Sequence, residues 1–132
     1  MKITLKDVQK RLKFKKAGEM EISFVEFPKK VKPLRDTDVY SVHDLPFLQH
    51  LNTSMTVLHG GKETAGHSHE NEEEVYIFLK GRGKMQVGKD VFSVKKGEAV
   101  LIKKGLFHKV FNKGSGDFVF FCVFEKYRGR GK

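Results

Sequence analysis

From residue 40 to residue 125 apolar residues recur in short blocks, at 53–58, 74–79, 84–87, 91–94, 99–102, 109–111 and 118–124. The separators are rich in glycine and lysine: HGGK at 59–62, GRG at 81–83, KKG at 95–97 and again at 103–105, and KGSG at 113–116. Blocks this short, evenly spaced and divided by turn residues, predict an all-β sandwich or barrel. Within 74–79, Val75, Ile77 and Leu79 alternate with Tyr76 and Phe78, so the predicted strand is apolar on both faces. A two-layer roll with a filled interior and covered outer faces accounts for such a strand. At 87–90, Val-Gly-Lys-Asp reads as a tight hairpin, with Gly88 supplying the positive φ that the turn requires.

The first 39 residues follow a different pattern. Leu5, Val8 and Leu12 fall at helical spacing behind a capping-box-like Thr4 to Asp7, which predicts a short basic helix over 5–13. The alternation in MEISFVEF predicts a strand at 20–27, and the two prolines of 28–36 make that stretch a connector. The organisation expected is a basic N-terminal arm (1–39) packing on the barrel, a barrel (40–125) and a basic tail (126–132).

Charge sharpens this division. The net charge is +10, yet residues 1–35 carry eleven basic against four acidic side chains and 126–132 four against none. The body, 36–125, holds eleven basic and twelve acidic residues and is nearly neutral. Nucleic acid is therefore not expected as a partner, since the barrel lacks the interleaved aromatic and basic residues of single-strand binders. No apolar run approaches the ~20 residues of a membrane span. Cys122, the single cysteine, lies inside the apolar block 118–124, where a buried thiol and a reducing, cytoplasmic setting are expected.

The chemistry is concentrated in GKETAGHSHENEEEVYIFLKG at 61–81 and GEAVLIKKGLFHKVFN at 97–112. His67 and His69, two residues apart, project to one face of an extended segment. With Glu74 and His108 they form three imidazoles and a carboxylate, a set suited to a divalent metal with positions left open. Glu70, Glu72 and Glu73 are expected at the surface. His43, His50 and His59 lack ligand spacing, and a surface role is expected for His59.

Both stretches carry a recognisable pattern. The first matches G-x5-H-x-H-x4-E-x6-G at Gly61, His67, His69, Glu74 and Gly81. The second matches G-x5-P-x-G-x2-H-x3-N at Gly97, Gly105, His108 and Asn112, with Lys103 in place of proline. Together they resemble the two motifs of the cupin superfamily. Glu73 would fit a shorter spacing, but Gly81 then falls out of place. The resemblance implies a double-stranded β-helix, or jelly roll, whose metal ligands are His67, His69, Glu74 and His108. It makes Asn112 a strand-end or turn residue rather than a ligand, and it implies one divalent ion: Fe, Mn, Ni, Co or Zn. It also implies a metal-dependent enzyme acting on a small molecule, of the sugar-phosphate isomerase kind. The alternatives are an iron-dependent dioxygenase and a non-enzymatic ligand-binding or sensing barrel. Tyr76, on the strand face of Glu74, is the candidate acid or base. Strands apolar on both faces, with the basic arm, point to a homodimer.

Overall fold

The computed structural model describes residues 32–44 and 48–125, and the helix expected at 5–13, the strand at 20–27 and the tail lie outside them. Among the described residues nine strands follow in order: β1 (Arg35–Asp36), β2 (Tyr40–Asp44), β3 (Leu51–Leu58), β4 (Glu74–Lys80), β5 (Arg82–Val87), β6 (Asp90–Lys95), β7 (Ala99–Ile102), β8 (His108–Phe111) and β9 (Phe118–Glu125). Every apolar block of the sequence forms a strand. The expected connector at 28–36 differs at its end, where Arg35 and Asp36 pair with Val42 and Ser41 of β2.

Six strands form one sheet in the order β1-β2-β3-β9-β4-β7, and three form a second, β6-β5-β8. All pairings are antiparallel. β9 enters late in the chain yet lies between β3 and β4, and its apolar run of Phe118 to Phe124 is the run of a central strand.

Between the sheets lies a cluster that includes Leu58, Tyr76, Phe78, Phe118, Phe120 and Cys122 from the large sheet. The small sheet contributes Met85, Val94 and Val110 to it. Phe78 stacks on Phe118 with centroids 5.0 Å apart, and Tyr76 on Phe120 at 5.3 Å. Each such ring contributes about 1.5–3 kcal/mol by burial. A second cluster, of Met55, Val57, Ile77, Ala99, Val119 and Phe121, occupies the other face of the large sheet and is also buried within the chain. The alternation in β4 thus separates Tyr76 and Phe78 from Ile77 as its period of two demands.

Two glycines set turns that the site depends on. Gly88 has φ 60° in the β5–β6 hairpin, where Val87 pairs with Asp90. Gly81, which closes the first motif, has φ 87°, and a Cβ there would lie 2.8 Å from the Asp117 carbonyl oxygen.

Candidate metal centre

Glu74 opens β4 and His108 opens β8, so two strand starts fix the two buried members of the predicted ligand set. His67 and His69 lie in the connection before β4, and backbone pairing holds this segment extended. The His67 and His108 amides each donate to the other's carbonyl oxygen, at 3.1 and 2.9 Å. Thr64 N donates to the Val110 carbonyl at 3.0 Å, and Gly105 N to that of His69 at 2.7 Å. The segment therefore runs antiparallel along β8, and the two-residue spacing of the histidines acts as it would in a strand.

The side chains converge. One potential ligand atom from each of His67, His69, Glu74 and His108 lies within 4.8 Å of all the others, a grouping that can hold a metal ion. His108 Nε2 is 2.8 Å from Glu74 Oε1 and 2.9 Å from His67 Nε2. His69 Nε2 is 3.3 Å and His67 Nε2 3.8 Å from the same oxygen. Two donors at right angles on one ion, each ~2.1 Å from it, stand ~3 Å apart, so these separations fit a shared ion. His69 Nε2 and Glu74 Oε1 are buried without a well-formed hydrogen bond, a costly state that coordination would relieve. The donor set is mixed nitrogen and oxygen, compatible with several first-row ions.

Each ring is aimed differently. His108 Nδ1 donates to the Leu106 carbonyl at 2.9 Å, which leaves Nε2 a lone pair to present to the site. His69 stacks on Phe124, with centroids 5.1 Å apart and planes 17° from parallel. The His67 side chain is half exposed at the mouth of the barrel.

Electrostatics tie the set together. Burial pushes the Glu74 carboxyl up, but the His108 and His67 imidazoles beside it reverse this and leave it below the usual carboxylate value. Burial lowers the pKa of His69, partly opposed by Glu74.

Tyr76 lies beneath the ligands, its ring edge-on to His108 with centroids 5.6 Å apart. It is buried opposite Cys122, its cross-strand partner, and burial raises both pKa values, so phenol and thiol stay protonated. Asn112 follows directly on β8, at the strand-end or turn position that the resemblance implies. Its side-chain NH2 donates to the carbonyls of Leu58, His59 and Gly116, and its Oδ1 accepts from Gly114 N. His43 is buried and hydrogen-bonded to Ser41 Oγ, His50 is exposed, and His59 pairs with Asp117, so none joins the ligands.

One expectation fails. Glu72 is 5 % exposed, unlike exposed Glu70 and Glu73, and its Oε2 lies 3.5 Å from His69 Nδ1. The turn before β4 folds this carboxylate inward, whereas a run of acidic residues reads in sequence as uniformly solvated. The inward-facing His69, three residues earlier, was the available signal.

A family model for the cupin domain matches residues 53–124, more than half of the chain, and the chain belongs to the cupin family. An uncharacterized protein of Methanocaldococcus jannaschii is 37 % identical over 62 residues, covering 47 % of this chain and 50 % of that one. The chain thus matches about half the length of that relative. Solved structures share the fold at low identity. A predicted oxalate decarboxylase of Thermotoga maritima has a TM-score of 0.67 and 21 % identity, covering 75 % of this chain and 96 % of its own. A double-stranded β-helix protein of Klebsiella pneumoniae has a TM-score of 0.68 and 22 % identity, covering 81 % of this chain and 90 % of its own. The Schizosaccharomyces pombe Cnp3 cupin domain has a TM-score of 0.67 and 15 % identity, covering 79 % of each chain.

Proposed function

We propose that this cupin is a metal-dependent enzyme acting on a small molecule that binds the ion through oxygen. The observation that carries the reading is the convergence of three imidazoles and one carboxylate above a closed aromatic core. A divalent ion there supplies Lewis-acid polarisation of a carbonyl or hydroxyl oxygen, or O2 activation if the ion is iron. His67, His69, Glu74 and His108 hold it. Phe78, Phe118 and Phe120 fill the barrel below, so the ligand enters at the mouth beside His67. Tyr76, beneath the cluster and near His108, is the candidate acid or base, and burial, by raising its pKa, works against its giving up the proton.

Within this class, interconversion of carbonyl and hydroxyl groups in a sugar phosphate is the first reaction to test. Among the described residues no lysine or arginine is buried, so a phosphate group would stay at the mouth, near exposed Lys103. The aromatic interior favours a second reading, O2-dependent cleavage of a small, partly apolar substrate. Storage or sensing of such a ligand without turnover is the third. Elemental analysis of untagged protein is expected to find one equivalent of a first-row metal. Metal-loaded protein is then assayed for sugar-phosphate interconversion and for O2 uptake with thiols, catechols and oxalate. Metal without any turnover supports the binding reading, and absence of metal overturns the proposal.

Two further parts of the proposal concern setting. The buried free thiol of Cys122 suits a cytoplasmic location. No helix among the described residues is long and apolar enough to cross a membrane. A homodimer is retained as a proposal, although the outer apolar cluster is already buried within one chain. Light scattering at the mass of a monomer would refute it.

A further inference from the structure

The ligand histidines are not held alike, and the difference lies at Nδ1. His108 gives that nitrogen to a neutral backbone carbonyl. His69 faces a carboxylate, Glu72, whose side chain is 5 % exposed and whose Oε2 is 3.5 Å from Nδ1. On the other side of the same ring Nε2 points towards Glu74 Oε1 at 3.3 Å. Phe124 fixes the plane of the ring by stacking, but stacking does not decide which nitrogen faces the site. A carboxylate facing Nδ1 does favour one choice: although Glu72 Oε2 is buried without a well-formed hydrogen bond, its charge 3.5 Å away favours the proton on Nδ1 and leaves the lone pair on Nε2. Glu72 is buried within an otherwise exposed stretch, between Asn71 and Glu73, so its carboxylate is held on the inner side with His69.

We propose that Glu72 is a positioning residue that orients His69 for the metal and strengthens its donation. It rests on the metal-site reading above and touches neither ion nor substrate. Partners of this kind, one bond removed from the metal, typically contribute 10–100-fold in affinity. The role is specific to Glu72. Glu70 and Glu73, with the same charge a few residues away, are exposed.

Co(II) is the probe, measured by competition with a chromophoric chelator on the full chain. Glu72→Ala is expected to weaken Co(II) binding by about 10–100-fold. Glu72→Gln, which retains an acceptor oxygen, is expected to recover most of that loss, and Glu73→Ala to bind like wild type. The melting temperature of each metal-free variant shows that it folds. Proton–nitrogen NMR of the Zn(II)-loaded protein supplies a readout that a merely structural role would leave unmoved. The His69 Nδ1–H resonance is expected to be shifted downfield in wild type and to move upfield in Glu72→Ala. Wild-type affinity in Glu72→Ala, or an equal loss in Glu73→Ala, overturns the inference while leaving the metal site standing. Failure of wild type itself to bind Co(II) overturns the metal-site reading and this inference with it.

Discussion

His67 and His108 present nitrogens 2.9 Å apart to one site from opposite surroundings. His108 opens a strand, is 1 % exposed, and is tied through Nδ1 to its own chain. His67 sits in a connection held by two isolated backbone bridges to β8, Glu63 with Phe111 and His67 with His108, and its side chain is 51 % exposed. The strand supplies donors the fold has already fixed, and the connection supplies one reachable from solvent. The cluster assembled this way is half core and half mouth. Substitutions on the two sides are therefore expected to separate stability from binding.

The largest effect falls on the strand side. His108→Ala is expected to abolish metal retention and to destabilise the metal-free protein by ~2–4 kcal/mol, because it empties a packed position and strands the Leu106 carbonyl and Glu74. Elemental analysis and urea unfolding of metal-free protein check the two parts. If only binding is lost, the strand side is no more structural than the mouth, and the contrast fails.

Asn112 tests the core half without touching a ligand. Asn112→Ala removes the NH2 that three carbonyls share, and is expected to cost ~2–3 kcal/mol while leaving metal stoichiometry intact. Loss of metal at full stability would instead place this turn among the determinants of the mouth.

His67→Ala is the counterpart on the connection side. Metal affinity is expected to fall about 100-fold or more, whereas metal-free stability should fall by only ~1 kcal/mol, because the half-exposed side chain gives up its contacts with His108 and Glu74 but empties no packed position. A large drop in metal-free stability would show that the connection depends on its imidazole rather than on its backbone pairing with β8.

How far the sequence carried this picture follows the same division. The barrel was legible because period-two alternation and glycine turns act locally, and each block from 53–58 onward became a strand. The four clustered residues were legible in two ways: the two-residue spacing of His67 and His69 reports one face of an extended segment, and Glu74 and His108 follow from the resemblance of the two motifs. Glu72 was not, since a carboxylate in an acidic run turns inward only when tertiary contacts require it. β1 escaped for a related reason. Arg35 and Asp36 are exposed, and only the edge of β2 makes them a strand. The cross-strand meeting of Tyr76 and Cys122 needs the register of β4 with β9, which no local pattern encodes.

Acid offers the finest separation, in the metal-free protein. His69, on the connection, has its pKa lowered from an ordinary 6.5, chiefly by burial. Glu74, on the strand, is lowered from 4.5: burial raises it, but the neighbouring imidazoles outweigh that. For both groups the unfolded chain binds protons at higher pH than the folded one. Their contributions are therefore complete above the unfolded values and are lost as pH falls through the folded ones. Melting temperature is expected to hold from pH 6.5 up to the alkaline range in which Cys122 and Tyr76 ionise, to decline on the acid side first as His69 is forced to protonate, and to decline again below 4.5 as Glu74 does. His69→Gln should remove the upper step and Glu74→Gln the lower, each leaving the other in place. A single step that disappears with either substitution would mean that mouth and core titrate as one unit, and the contrast between them would hold for packing but not for charge.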